Sequence, residues 1–209
     1  MTASGSASPF ARLLCHPGVE EHLELRSRFG FLAFHGGSLE RHTHMIASRA
    51  AAAAGASYYA VVQPAEFRWH IASSRVDPAD SPALAQFLDH VTVTISVHGY
   101  GRAGFFTTLL LGGRNRDLAA YLGEQLSTSL SHYDIAANIE AIPSDLRGLH
   151  PDNPVNRPSQ GGVQLELPPR VRGMGPYWQD WPDDTNPHTE ALIETLAEVA
   201  RSWPPANSA

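Results

Sequence analysis

Residues Gly30 to Glu40 read GFLAFHGGSLE, and this stretch decides the fold. Gly30 to Phe34 is continuously apolar, the pattern of a strand covered on both faces of a sheet. Polarity begins at His35, and the glycines at 36 and 37 allow a sharp bend. A helical pattern then runs from Leu39 to Ala54, through Met45, Ile46 and an alanine run, and Gly55 stops it. Buried strand, polar turn and helix in succession form the repeating unit of an α/β sheet.

Outward from this stretch the alternation continues. Upstream, His22 to Phe34 reads as two short strands around a tight turn at Arg26 to Arg28. Downstream, Tyr58 to Val62 is an apolar strand, and Trp69 to Ser73 is a further candidate. Asp80-Ser81-Pro82 opens a helix that should reach about Asp89, because a capping side chain precedes proline in the first turn. Val91 to Val97 (VTVTISV) is the clearest strand, β-branched at nearly every position. Phe105 to Leu111 and Ile135 to Ile142 also read as strands, on either side of an amphipathic helix from Arg116 to Leu130. Eleven of the sixteen prolines lie at or after Pro143, yet Gly162 to Leu167 (GVQLEL) stands out there as a strand. Thr189 to Trp203 reads as a closing helix with Leu192, Leu196 and Val199 on one face. The expectation is one three-layer α/β domain with a mostly parallel, mixed central sheet over 19–203. A flexible lead-in over 1–18 and a tail over 204–209 flank it.

Composition narrows the function. The chain has 209 residues, 43% hydrophobic and 17% charged, with a formal net charge of -6. Length and apolar content suit one ordinary domain with a real core. An acidic balance argues against nucleic acid as a partner, and no apolar run approaches a membrane span. The opening MTASGSASPFARLL has neither the basic start nor the apolar segment of a secretory signal. With a single cysteine, Cys15, no intramolecular disulfide and no cysteine-rich metal site forms. A cytoplasmic protein, or one released without a signal peptide, is the expectation. All 15 basic residues are arginine, which excludes lysine chemistry of every kind. Eleven histidines supply candidates for metal or acid–base work.

In open α/β sheets ligands bind beyond the carboxyl ends of strands. Three polar groups sit there. GFLAF leads into His35 and Glu40, VTVTISV leads into His98, and Glu166 lies near the end of GVQLEL. Two histidines and a carboxylate are the ligand choice of many catalytic zinc sites, with a fourth position left for water. Glu166 should alternate onto the face opposite Val163, Leu165 and Leu167, and is the candidate general base. The plainer alternative is a set of satisfied core histidines and an exposed strand glutamate. Competing signals are weaker. Gly99 to Gly104 matches a dinucleotide fingerprint, but a strand and not a helix follows it. His42 and His44, two apart on a helix, diverge and suit surface or supporting roles. No GxSxG elbow is present.

HGGSLE, WHIASS, TVTISVHG, LLLGGRN, NPVNR and GGVQLEL occur in this order from about Gly30 to Arg170. Together they resemble the phage-type poly-γ-glutamate hydrolase family, a compact branch of the zinc carboxypeptidase-like fold. The resemblance implies one zinc ion per chain held by His35, Glu40 and His98, with Glu166 as base. It implies hydrolysis of γ-glutamyl amide bonds in poly-γ-glutamate or a similar acidic peptide. Substrate carboxylates call for a bidentate arginine. Arg157 and Arg114 are the candidates, with Arg170 behind them, and Asn156 and Asn153 either orient substrate or shape their loop. The chain departs from the family pattern at Ala72, where threonine is usual, and in the basic turn RHTHM after Glu40. The segment after Arg170, with Tyr177, Trp178 and Trp181, has no counterpart and would form a substrate rim or cover a sheet edge. Two alternatives remain: the same site acting on another small amide, or a non-catalytic binding domain of this fold.

Overall fold

The computed structural model describes residues 7–178 and 186–204. Seven strands form one mixed sheet. They are β1 (Glu20–Glu24), β2 (Phe29–Gly37), β3 (Ser57–Gln63), β4 (Val93–Gly99), β5 (Thr108–Leu111), β6 (Asp134–Ala136) and β7 (Gly162–Leu167), in the order β1-β3-β2-β4-β7-β5-β6. The centre is parallel, β3 with β2, β2 with β4 and β4 with β7. β1 runs antiparallel on β3, and β5 antiparallel on β7. Among the described residues five α-helices accompany the sheet: α1 (Pro9–Leu14), α2 (Thr43–Ala54), α3 (Pro82–His90), α4 (Arg116–Ser129) and α5 (Pro187–Ser202).

Period-two alternation sorts the side chains between two cores. Phe31 and Ala33 of β2, Val93, Ile95 and Val97 of β4, and Val163, Leu165 and Leu167 of β7 pack with α2, α4 and α5. Leu32 and Phe34 of β2 and Tyr59 and Val61 of β3 turn the other way, against Phe10 and Leu13 of α1 and Leu84 and Phe87 of α3. The three-layer expectation holds, with strands buried on both faces. The caps behave as their chemistry requires. Ser81 Oγ accepts from Leu84 N–H at 2.9 Å, Asn115 caps α4 and Asn186 caps α5, each worth about 1 kcal/mol.

Several expectations are revised. β1 and β2 are not a paired hairpin, because β3 inserts between them. The lead-in carries α1, whose Phe10 and Leu13 are buried. Trp69–Ser73 is not a strand: the Gln63 side chain takes both backbone groups of Trp69, accepting its N–H at 2.8 Å and donating to its carbonyl at 3.0 Å. Residues 105–107 lie outside β5, where the Tyr100 hydroxyl binds the carbonyls of Phe105 and Thr108. β6 ends at Ala136 because Asn138 caps a 3₁₀ turn over Ile139–Ala141. Helix α2 begins at Thr43, not Leu39, leaving residues 38–42 as a loop over the strand ends. Among the described residues no helix is long and apolar enough to cross a membrane.

Candidate active site

The carboxyl ends of β2, β4 and β7 meet in a cleft of about 640 Å³. His35, Glu40, His98, Glu166, Gln164 and His70 line it. The register of β4 on β7 places Ser96 beside Gln164 and His98 beside Glu166. Since Val97 and Leu165 face the helices, these four polar side chains share the opposite face. The same alternation would give His35 to the helix-covered face with Phe31 and Ala33. A register shift between Ala33 and Gly36, where three steps on β2 match two on β3, re-aims it. An irregularity that redirects one side chain is a common device beside active sites.

Glu40 is brought back by the turn after β2. Its N–H donates to the His35 carbonyl at 2.9 Å, and Thr43 Oγ1 donates to the Glu40 carbonyl at 2.8 Å. Gly37 makes the turn possible: its φ is +74°, and a Cβ there would lie 2.0 Å from the Gln63 carbonyl oxygen. The Glu40 carboxylate is held at both oxygens. Oε1 is 2.7 Å from His35 Nδ1, while Oε2 accepts from Gly99 N–H at 2.8 Å and lies 3.5 Å from His98 Nδ1. Both imidazoles thus present Nδ1 to one carboxylate. Their Nε2 atoms are engaged elsewhere, His35 with the Ile71 carbonyl at 2.9 Å and His98 with Ser96 Oγ at 2.8 Å.

That arrangement fits a metal. Two buried histidines engage a carbonyl and a hydroxyl through Nε2 and turn Nδ1 toward one carboxylate, so that Nδ1, once deprotonated, would be the ligand atom. Ligand atoms about 2.0 Å from a tetrahedral zinc lie roughly 3.3 Å apart; His35 Nδ1 is 2.7 Å from one Glu40 oxygen and His98 Nδ1 3.5 Å from the other. A further imidazole is present. Donor atoms of His35, Glu40 and His70 lie within 4.8 Å of one another, a group able to hold a metal. His70 is exposed, whereas His35 and His98 are each 3% exposed. The His70 ring lies 4.6 Å from that of His35.

Electrostatics bind the group together. Burial alone would raise the Glu40 carboxyl, but the charges and hydrogen bonds of His35 and His98 outweigh it and hold Glu40 well below the usual carboxylate range. Burial depresses His98, and Glu40 and Glu166 more than reverse this. Glu166 is pushed up, chiefly by burial and further by Glu40, against the opposing pull of His98. Burial and neighbouring His35 lower His70. Glu166 is oriented by a relay: Asn153 Nδ2 donates to Gln164 Oε1 at 2.7 Å, and Gln164 Nε2 donates to Glu166 Oε1 at 2.8 Å.

The structure therefore brings His35, Glu40, His98 and Glu166 together, and it sets Arg114, Asn156 and Arg157 outside the cleft lining. Asn156 works within its loop. It accepts from Arg114 N–H at 2.9 Å and donates to the carbonyls of Gly148 and His150 at 2.7 and 2.9 Å. Arg157 reaches Asp152 at 3.8 Å on the surface. Arg170 lies over the Tyr177 and Tyr133 rings. Trp178 is buried and donates to the Arg170 carbonyl, Tyr177 is exposed, and Trp181 lies outside the described residues. His44 accepts from Gly37 N–H, and His42 contacts the Arg172 carbonyl, both in supporting roles. Gln164 and His70 are the cleft residues that sequence reasoning missed. Gln164 was signalled by its place two residues before Glu166 on one strand face.

Known structures share this fold. A bacteriophage poly-gamma-glutamate hydrolase is 24% identical, with a TM-score of 0.68 over 87% of this chain and 89% of its own. A zinc-free apo form of YNDL is 20% identical, with a TM-score of 0.71 over 88% and 90%. The N-formylglutamate amidohydrolase of Ralstonia eutropha JMP134 is 10% identical, with a TM-score of 0.54 over 88% and 96%. No curated protein sequence matches the chain. At these identities the structural likeness concerns the fold. The family itself follows from the sequence profile of the poly-gamma-glutamate hydrolases, which matches residues 14–175, most of the chain, and the protein belongs to that family.

Proposed function

We propose that this hydrolase-family member is a zinc-dependent amidohydrolase that cleaves γ-glutamyl amide bonds in poly-γ-glutamate or a similar acidic peptide. The observation that carries the reading is the pairing of two inward Nδ1 atoms with the Glu40 carboxylate, next to Glu166 in register with His98. His35, Glu40 and His98 would hold one zinc ion. His98 is preferred over His70 because it is buried and its outer nitrogen is already bound. When bound, zinc supplies Lewis-acid chemistry, polarising a carbonyl and making water nucleophilic at neutral pH.

The chain's own groups do the rest. Glu166 takes the proton of the attacking water on the carboxylate oxygen not bound by Gln164, then hands it to the departing amide nitrogen. Its burial makes it a stronger base than a solvated glutamate. Gln164 and Asn153 keep the carboxylate aimed, and His70 stands at the mouth, able to donate a hydrogen bond to a developing oxyanion. Metal analysis of purified protein, followed by a panel of γ- and α-linked glutamyl peptides, tests the reading. About one zinc per chain and cleavage of the γ-linked peptides is the expected result. Cleavage of other amides alone would turn the substrate toward an N-acyl amino acid, a reading that the fold of the Ralstonia amidohydrolase favours.

A further inference from the structure

The cleft lacks something its proposed substrate needs. A γ-linked glutamyl chain carries a free carboxylate beside every amide, yet the charged residues lining the cleft are Glu40, Glu166, Asp145 and histidines, with no arginine. Asp145 is itself paired with Arg102 at 2.6 Å. A second cavity of about 280 Å³ adjoins the first, and Leu39, Glu40, Gly99 and Tyr100 line both. At about 30 Å³ per water it holds roughly nine waters, room enough for a carboxylate side group. Its charged lining is Arg41, Arg68 and Arg172 against Glu40 alone, whose carboxylate is already committed to His35, His98 and Gly99.

The three arginines divide into two kinds. Arg172 is buried, 5% exposed, and spends its donors on backbone: Nε on the Leu167 carbonyl at 3.2 Å, Nη1 on Arg41 at 2.9 Å and Nη2 on Tyr100 at 3.4 Å. It ties together the turn after β2 and the ends of β4 and β7. Only a glycine permits this at position 99, where a Cβ would lie 2.6 Å from the guanidinium carbon. Arg41 and Arg68 are exposed, and among the described residues neither guanidinium has a carboxylate partner. Two guanidinium groups without a carboxylate partner among the described residues, lining a cavity that Glu40 also lines, can seat a substrate carboxylate.

We propose that Arg41 and Arg68, on walls positioned by Arg172, form the subsite that captures the free carboxylate next to the scissile amide. The inference rests on the hydrolase reading and adds what that reading lacked, the residues that would distinguish an acidic chain from a neutral one. The test compares wild type with Arg41→Gln/Arg68→Gln on two substrates: a γ-linked glutamyl oligomer, and the same oligomer with its α-carboxylates converted to carboxamides. Wild type should prefer the acidic oligomer. The double variant should raise its KM about 10- to 100-fold, with kcat nearly unchanged and the preference lost. An unchanged KM, or equal use of both oligomers by wild type, overturns the subsite.

Should zinc-loaded wild type cleave neither oligomer, the hydrolase reading falls and a second measurement decides the subsite alone. Glutarate is titrated calorimetrically into chelator-treated wild type and double variant. Binding that the two substitutions abolish supports the subsite. No binding, or equal binding to both proteins, overturns it.

Discussion

The strand ends of β2, β4 and β7 and the loop from Pro143 to Pro158 line the same cleft, but they reach it by different physics. On the strands, direction is set by pleat and register. Once Val97 and Leu165 face the helices, Ser96, His98, Gln164 and Glu166 must converge on the other side. In the loop no period operates, and each side chain goes where a hydrogen bond holds it. Asn153 turns inward to Gln164, Asn156 folds back onto Gly148 and His150, and Arg157 faces solvent beside Asp152. In the proposed function the strand ends would carry the chemistry, and the loop supplies a wall and one residue, Asn153, that holds Gln164.

The contrast can be broken at several points, the strongest first. His98→Ala should lose zinc, from about one per chain to none, along with all hydrolysis, while His70→Ala keeps its metal; zinc analysis of both decides it. The opposite pattern would move the centre to His35, Glu40 and His70. Glu166→Gln should retain zinc and lower kcat by about 10²- to 10⁴-fold, the span of general acid–base catalysis. A variant that keeps full turnover would leave the register of β4 on β7 without catalytic meaning.

Gln164→Leu should keep zinc and cost about 10- to 100-fold in kcat, since a hydrogen bond to a charged group is worth about 1.5–3 kcal/mol; steady-state kinetics at saturating zinc would show it. Asn156→Ala removes three hydrogen bonds that shape the loop. It should lower stability by about 1–3 kcal/mol, seen in denaturant melts, with kcat within about threefold. Arg157→Ala and Arg114→Ala should change KM by less than about twofold, because exposed surface groups of this kind contribute little. A tenfold rise in KM for either would return the loop arginines to the substrate.

Much of this was legible in the chain. The apolar run before His35, the β-branched run before His98 and the alternation of GVQLEL have few structural solutions, and all three form strands, the first running on to Gly37 and the second lying two residues later, over Val93–Gly99. The helices opened by Asn115 and by Ser81-Pro82, and the helix closed by Gly55, were equally plain. What misled was local resemblance without long-range pairing. Trp69–Ser73 has strand-like residues but no strand beside it, and residues 137–142 are drawn into a capped turn. The neighbouring strands of the first hairpin-like stretch were separated by β3, a partner that arrives later in the chain.

By itself the sequence determined the layer architecture, the family and the four polar residues at or just past the ends of buried strands, because hydrophobic period and strand-end position are local properties. The tertiary structure decided where each arginine and histidine lies. Whether a guanidinium faces a cleft, a carbonyl or open water depends on what distant segments place beside it. Arg172, Arg41 and Arg68 come from three separate stretches of chain, and only the packed turn after β2 against the ends of β4 and β7 brings them to one cavity.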